Sequence, residues 1–184
     1  MSEVKVIFFT ALKQAIIDEV VSYVPSGYDL TVLGRESTKE QQIEAVKDAD
    51  FLLCYGMDPS DEVVRAAEKC RLVQLLAAGY DRVNLTLLRD LEIPCANNGG
   101  ANSWAVSDHA LLLMLSIYKQ LLASDPATRQ GRWNEPITGQ NTFEMAGKKV
   151  GVLGIGNIGK QVAKRVQSFD AQVQYYDLYP LDEE

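Results

Sequence analysis

The sequence predicts an α/β fold in which one parallel-sheet unit is followed by the beginning of a second. Two observations support this prediction. Through the first hundred residues, short apolar runs alternate with helical patterns of about ten residues, and strands separated by helices in this way pair in parallel. Between residues 148 and 177 a new strand, turn, helix and strand follow in order.

The first unit divides into regularly alternating elements. Apolar runs predict strands at 4–10, 29–33, 51–54, 72–75 and 93–96. Helical periodicity predicts helices at 13–24, 39–46 and 61–69. Apolar strands covered by helices on both faces are typical of a doubly wound sheet.

A long helix and an irregular connection follow the first unit. Residues 102–123 are apolar around most of the helix circumference, so we expect this helix to be buried between domains or subunits. Residues 124–147 are rich in Gly, Pro, Asn and Thr and contain Trp133 and Phe143. Such a long irregular connection is typical of functional or intersubunit loops. We therefore expect three parts, 1–100, 101–147 and 148–184.

Composition excludes several classes of partner. Apolar residues make up 47% and charged residues 23% of the 184 residues, as in ordinary globular proteins. The net charge of −7 and the lack of a basic cluster argue against nucleic acid or an anionic membrane. Three scattered cysteines and one histidine predict neither a metal site nor a disulfide framework. With no signal pattern at the start, we expect a cytoplasmic protein.

The stretch GVLGIGNIGK at 151–160 carries the main functional signal. Gly154 would permit a tight turn out of the strand, Gly156 would let a diphosphate approach the backbone, and Gly159 would let the helix pack closely on the strands. The start of that helix presents free N–H groups and partial positive charge to phosphates. Asn157 and Ile158, which lie between Gly156 and Gly159, are further candidates for cofactor binding.

Asp177 lies 18 positions after the last glycine, at the end of the next predicted strand. Its carboxylate is placed to accept hydrogen bonds from ribose hydroxyls and to repel a 2′-phosphate, and Leu178 and Tyr179 supply no arginine to offset that repulsion. The pattern therefore favours NAD over NADP. Two alternatives remain open: a glycine-rich packing turn that binds nothing, and a methyltransferase that uses S-adenosylmethionine.

Four segments together resemble the NAD-dependent D-2-hydroxyacid dehydrogenases. They are LVQLLAAGYDRVNL at 72–85, NNGGANSWAVSDHALLLML at 97–115, GRWNE at 131–135 and GKKVGVLGIGNIGKQVA at 147–163. The resemblance implies a flavodoxin-like parallel-sheet domain that binds substrate, followed by the start of a Rossmann dinucleotide-binding domain. It also implies NAD as cofactor, a 2-hydroxy or 2-keto acid as substrate, and a homodimer formed through 101–147, with Trp133 in the arm around the partner.

The resemblance also assigns site residues. Tyr55, Gly56 and Met57 would lie in a loop that meets the substrate carboxylate, and Ala78 and Gly79 would approach it a second time through backbone N–H groups. Asn102 and Val106 match positions near the nicotinamide end of the cofactor. Ala78–Gly79 could instead be a simple turn at a strand end, and Val106 a core valine.

His109 is the only histidine, and we expect it to have a structural role within the long helix. The resemblance implies that the catalytic arginine, glutamate and histidine come from later segments, so no catalytic residue is expected in these 184 residues. We therefore expect the N-terminal portion of a longer enzyme with doubtful turnover on its own. The alternative is a dinucleotide-binding or dimerisation module without catalysis. The identity of the 2-hydroxy acid stays open.

Overall fold

A computed structural model describes residues 3–133 and 141–179. The chain forms two compact units, Met1–Gly99 and Gly100–Glu184. Within the described ranges, no helix is long and apolar enough to cross a bilayer.

The first unit contains a five-stranded parallel sheet with the strand order β2-β1-β3-β4-β5. This order is the flavodoxin-like arrangement, in which the direction of winding reverses between β1 and β3. The predicted fold class is therefore confirmed. The strands are β1 (Val4–Thr10), β2 (Tyr28–Leu33), β3 (Phe51–Tyr55), β4 (Leu72–Leu75) and β5 (Cys95–Ala96).

The core of this unit lies on both faces of the central strands. In β1, Phe8 and Phe9 are almost completely buried although they point to opposite faces of the sheet. A strand buried on both faces needs a continuous apolar run, and VKVIFFT supplies one.

The helices of the first unit cover these faces. They are α1 (Gln14–Ser22), α2 (Lys39–Val46), α3 (Asp61–Ala66) and α4 (Leu85–Asp90). The sequence analysis did not predict the helix α4. Its start is nevertheless marked in the sequence, since the Asn84 side chain accepts a hydrogen bond from the Leu87 amide at 3.0 Å.

The second unit begins with α5 (Ser103–Tyr118) and α6 (Leu121–Arg129). The predicted single helix over 102–123 is therefore wrong, since Gln120 adopts a left-handed conformation with φ of 50° and separates the two helices. The apolar pattern runs through this break, so periodicity could not reveal it. Helix α6 also replaces the first part of the predicted irregular connection, and residues 134–140 of that connection lie outside the described ranges.

The predicted strand–turn–helix–strand unit is present. Strand β6 (Lys149–Leu153) is followed by α7 (Asn157–Gln167) and β7 (Gln172–Tyr176), and β6 pairs with β7 in parallel. One face of α5 packs against this unit, with a small core around Met145, Val166 and Ala171.

The expected burial of α5 on all sides is not found within this unit. Only Ser103 and Ser107 of this helix are buried. Apolar side chains on the face away from α7 are exposed, including Leu112, Leu113 and Ile117. The unit supplies a neighbour for one side of the helix only. His109 is likewise exposed.

Candidate functional site

The glycine turn between β6 and α7 has the conformation that the sequence requires of it. Gly154 has a φ of 88°, a region that side chains with a Cβ rarely adopt. Its amide donates to the carbonyl of Tyr176 at 2.8 Å, so the turn begins while β6 is still paired with β7. The backbone can therefore leave the strand and enter the helix within three residues.

Gly156 and Gly159 differ in the space around them. A Cβ on Gly159 would lie 2.0 Å from the carbonyl oxygen of Gly154, so this position tolerates only glycine. A Cβ on Gly156 would meet no atom within 4 Å. The backbone of Gly156 therefore faces open space, where a ligand could approach it closely, while Gly159 holds α7 against the end of β6.

The N-terminus of α7 is open to an anion. Gly156 is the N-cap residue, no described side chain caps the helix, and its first turn contains no acidic residue. The amides of Asn157, Ile158 and Gly159 precede the first intrahelical donor, the Lys160 amide, which donates to Gly156 at 3.0 Å. These groups and the helix dipole suit a diphosphate.

Asp177 follows β7 directly and points at the glycine turn. Its Oδ2 accepts a hydrogen bond from the Ile155 amide at 2.6 Å, and its Oδ1 accepts one from the Tyr179 amide at 2.9 Å. Hydrogen bonds from the backbone amides of Tyr179, Ile155 and Leu178 lower the pKa of Asp177 below its ordinary value. The group is therefore a fixed carboxylate at neutral pH, and its position relative to the turn is set.

The start of α5 lies beside the start of α7. The side chain of Asn157 is so close to the backbone of Gly100 that a Cβ there would lie 2.9 Å from Asn157 Nδ2. Asn102, the N-cap of α5, follows Gly100 by two residues, Val106 lies one turn later in the helix, and both residues are exposed.

A cluster that the sequence did not reveal fixes these two helices together. The Arg165 side chain of α7 donates to Asp108 at 2.5 Å and lies over the Trp104 ring of α5, 5.1 Å from its centre. The sequence offered no signal for it, because the partners are 57 and 61 residues apart in the chain and no motif joins them.

In the first unit, the loop after β3 carries the first set of candidate substrate contacts. Gly56 has a φ of 71° and pairs with Thr10 through an isolated bridge, while the Ala11 amide donates to the Tyr55 carbonyl at 3.2 Å. Met57 packs against the core of the sheet. The loop thus sits at the β1/β3 switch point, where ligands bind in open α/β sheets.

The second set of candidate contacts follows β4. Asn97 Nδ2 donates to the Ala78 carbonyl at 2.7 Å, and the Asn98 amide donates to the Ala77 carbonyl at 3.1 Å. These bonds hold the backbone of the loop and leave Gly79 exposed. The sequence analysis did not include Asn97, because a hydrogen bond from an asparagine to a distant carbonyl has no sequence signature.

The two loops border one pocket of about 250 Å³. Gly56 and Gly79 both line it, whereas Tyr55, Met57 and Ala78 do not. Among the described residues, no group of three or more His, Cys, Asp or Glu side chains could hold a metal ion.

Comparisons with known proteins agree with this geometry. Residues 111–184 match the family of the D-isomer specific 2-hydroxyacid dehydrogenase, NAD binding domain. A glyoxylate reductase of Thermofilum pendens is 30% identical over 147 residues, which cover 77% of this chain and 42% of that protein. A D-3-phosphoglycerate dehydrogenase of Mycobacterium bovis is 33% identical over 142 residues, covering 77% of this chain and 26% of that protein.

This chain belongs to the D-2-hydroxyacid dehydrogenase family. The crystal structure of a 2-hydroxyacid dehydrogenase from Ketogulonicigenium vulgare has the same fold, with a TM-score of 0.81 at 22% identity over 99% of this chain and 57% of that one. The chain spans less than half the length of the two curated relatives named above.

The family indicates NAD as the cofactor. Members of the D-2-hydroxyacid dehydrogenase family are NAD-dependent oxidoreductases that act on CH–OH donors. The glycine turn fits this cofactor, because the space at Gly156 and the uncapped amides of α7 suit its diphosphate.

The turn geometry predicts that one glycine-to-alanine change lowers the stability of the fold and that another leaves it unchanged. Gly159→Ala should lower the free energy of unfolding by about 1–3 kcal/mol or more, because the new methyl group collides with the Gly154 carbonyl. Gly151→Ala is the matched control, since a Cβ there meets no atom within 4 Å and the residue lies in β6. Denaturant unfolding of both variants and the parent chain measures the difference. Equal stability of the two variants would contradict the close packing of α7 on β6.

Proposed function

We propose that this chain supplies the cofactor-binding turn and the substrate-binding loops of an NAD-dependent D-2-hydroxyacid dehydrogenase. The reaction is hydride transfer between NAD(H) and a 2-hydroxy or 2-keto acid. The observation that carries the proposal is the glycine turn, where Asp177 accepts a hydrogen bond from Ile155 while the next amides remain uncapped. A glycine turn that served packing alone would not need the Asp177 carboxylate fixed beside it by a hydrogen bond.

Different residues bind different parts of the dinucleotide. The backbones of Gly154 and Gly156 leave room for the diphosphate, and the amides of Asn157, Ile158 and Gly159 bind its oxygens. Asn102 and Val106 contact the nicotinamide end.

Asp177 selects the unphosphorylated cofactor. Its charged carboxylate accepts hydrogen bonds from the ribose hydroxyls and repels a 2′-phosphate. The neighbouring Leu178 and Tyr179 are exposed and bring no cation that would reverse the preference.

The substrate carboxylate binds in the first unit. The loops that contain Tyr55–Met57 and Ala78–Gly79 offer backbone amides, which suit a carboxylate without a basic side chain. The pocket between these loops lies at the carboxyl ends of β3 and β4, which supports the assignment.

Catalysis needs groups that we do not assign to any described residue of this chain. When bound, reduced NAD supplies the hydride. The acid that protonates the carbonyl oxygen contributes about 10²- to 10⁴-fold in rate, and a cation that holds this oxygen contributes a further factor. We therefore propose that the 184-residue chain binds the cofactor without efficient turnover.

Titration with NADH, followed by the emission of Trp104 and Trp133, tests the binding. Gly156→Ala should weaken NADH binding roughly 10- to 100-fold, because the methyl group displaces the diphosphate from its charge-assisted hydrogen bonds, each of which contributes about 1.5–3 kcal/mol. The fold should survive, since the methyl group meets no atom in the free protein. Gly151→Ala, which adds the same methyl group outside the turn, should bind NADH like the parent chain.

Three outcomes are informative. NADH binding that is lost only in Gly156→Ala supports the proposal, and a concurrent assay of ketoacid-dependent NADH oxidation separates binding from turnover. NADH binding without turnover is the result expected of the 184-residue chain, whereas efficient ketoacid-dependent NADH oxidation would contradict the proposed lack of turnover. NADH binding that Gly156→Ala leaves unchanged would refute the role of the turn.

We also propose that the chain forms a homodimer through α5 and α6. The exposed face of these helices forms an apolar groove of about 450 Å³, lined by Leu112, Leu113, Ser116, Ile117, Gln120, Leu122 and Ala123. Leu122 is 88% exposed. Contiguous apolar surface of this kind marks an interaction site.

A charge placed in this groove should abolish the dimer. Leu113→Lys buries an unpaired ammonium in the proposed interface, so sedimentation equilibrium should show a monomer at concentrations where the parent chain is dimeric. Leu153→Lys is the control, because Leu153 is 87% exposed but lies on β6. A dimer that survives Leu113→Lys and dissociates in Leu153→Lys would move the interface to the second sheet.

The expectations that the protein is cytoplasmic, and that the chain is the N-terminal portion of a longer enzyme, stay predictions. So does the division into parts 1–100, 101–147 and 148–184. The names of the relatives include both glyoxylate and 3-phosphoglycerate enzymes. These names therefore do not select one substrate for this chain.

A further inference from the structure

The segment between β5 and α5 contains the one asparagine of the sequence that is followed by a glycine, Asn98. Glycine has no Cβ to shield its backbone nitrogen, so the nitrogen of Gly99 can approach the side-chain amide of Asn98 closely. Every other asparagine of the chain is followed by a residue with a side chain. The pair therefore has the local chemistry for deamidation, the spontaneous loss of ammonia from an asparagine.

The fold leaves both reacting groups unbonded. The described part of the chain contains no hydrogen bond to or from the Asn98 side chain, and none from the Gly99 amide. Both residues are exposed, so water and hydroxide reach them. The side chain of Asn84, in contrast, accepts a hydrogen bond from the Leu87 amide at 3.0 Å and donates one to Asp61 at 2.8 Å. Asn84 must break these bonds before it can react, whereas Asn98 has none to break.

The backbone just before Gly99 is bonded to the loop after β4. The Asn98 amide donates to the Ala77 carbonyl at 3.1 Å, and Asn97 Nδ2 donates to the Ala78 carbonyl at 2.7 Å. A new charge at residue 98 is therefore held beside the loop whose backbone amides are proposed to bind the substrate carboxylate.

We propose that Asn98 is a site of spontaneous deamidation to aspartate and isoaspartate, and that the new carboxylate weakens the binding of a carboxylate substrate to the loop after β4. The second half of this inference rests on the proposed function, which places the substrate carboxylate on that loop. The first half depends only on the chemistry of Asn98 and Gly99.

The modification needs no reactant other than water. The Gly99 nitrogen loses its proton to hydroxide and attacks Cγ of Asn98, so a new carbon–nitrogen bond closes a cyclic imide. The bond from Cγ to Nδ2 breaks, and the leaving nitrogen takes a proton from water and departs as ammonia. Water then opens the imide at Cγ to give aspartate, or at the main-chain carbonyl to give isoaspartate, which adds one carbon to the backbone. Either product changes the net charge of the chain from −7 to −8.

Incubation of the parent chain and of Gly99→Ala at mildly alkaline pH tests the modification, with peptide mass spectrometry and an isoaspartate assay as readouts. Alanine fits at this position, because Gly99 has no positive φ and a Cβ there would lie 3.5 Å from Asn97 Oδ1, an ordinary contact distance. We expect the variant to slow deamidation at least about tenfold, or about 1.4 kcal/mol in activation free energy. The rate in the parent chain should rise with pH, because the Gly99 nitrogen must lose its proton. Asn84 in the same sample is the internal control and should stay unmodified over the same period.

The effect on binding is measured with Asn98→Asp, which carries the charge of the aspartate product. Titration of D-glycerate into the ¹⁵N-labelled 184-residue chain at low ionic strength, observed at the Gly79 amide, gives the dissociation constant. We expect Asn98→Asp to raise this constant about two- to fivefold, and we expect the difference to shrink at high ionic strength. Asn141→Asp is the matched control, since it adds the same charge at an exposed position of the second unit, and it should bind glycerate like the parent chain.

Each outcome decides one half of the proposal. Deamidation of Asn98 that Gly99→Ala suppresses supports the modification site. An Asn98 that reacts no faster than Asn84, or as fast in Gly99→Ala as in the parent chain, overturns it. Weaker glycerate binding in Asn98→Asp but not in Asn141→Asp supports the effect on the loop, and equal binding by both variants and the parent chain overturns that effect. If glycerate does not shift the Gly79 amide of the parent chain, the second half fails together with the proposed substrate site, and the rate of deamidation still decides the first half.

Discussion

The approach of α7 to the end of β6 is the constraint on which the cofactor site depends. It is possible only because Gly159 has no side chain, since a methyl group there would lie 2.0 Å from the Gly154 carbonyl oxygen. This approach points the uncapped N-terminus of α7 at the carboxyl end of the strand. In the same turn the Ile155 amide donates a hydrogen bond to Asp177. The close contact at Gly159 therefore positions both the α7 amides proposed to bind the diphosphate and the carboxylate proposed to bind the ribose.

The sequence predicted those parts of the fold that depend on local chemistry. The strands, their parallel pairing in the first sheet and the glycine turn follow from apolar runs that alternate with helical patterns and from glycines with defined conformational tasks. The break at Gln120 could not be predicted, because a left-handed glutamine interrupts an apolar pattern that continues on both sides. Burial of α5 between domains or subunits stays a prediction, since its apolar circumference indicates contact without identifying the contacting surface.

The candidate site shows the same division. Gly154, Gly156, Gly159 and Asp177 belong to one strand–turn–helix–strand unit, and a motif describes their spacing. No motif relates the residues that form the bond from Asn97 to Ala78 or the cluster of Arg165, Asp108 and Trp104.

The central claim is that the first amides of α7 hold the diphosphate of NAD while Asp177 holds the ribose. A ¹H–¹⁵N titration of the chain with NAD⁺ tests it most directly. The account predicts large, saturable shifts at the amides of Gly156, Asn157 and Ile158, with the Ile155 amide still bonded to Asp177. Shifts confined to other parts of the chain, with these amides unchanged at saturating NAD⁺, would contradict it.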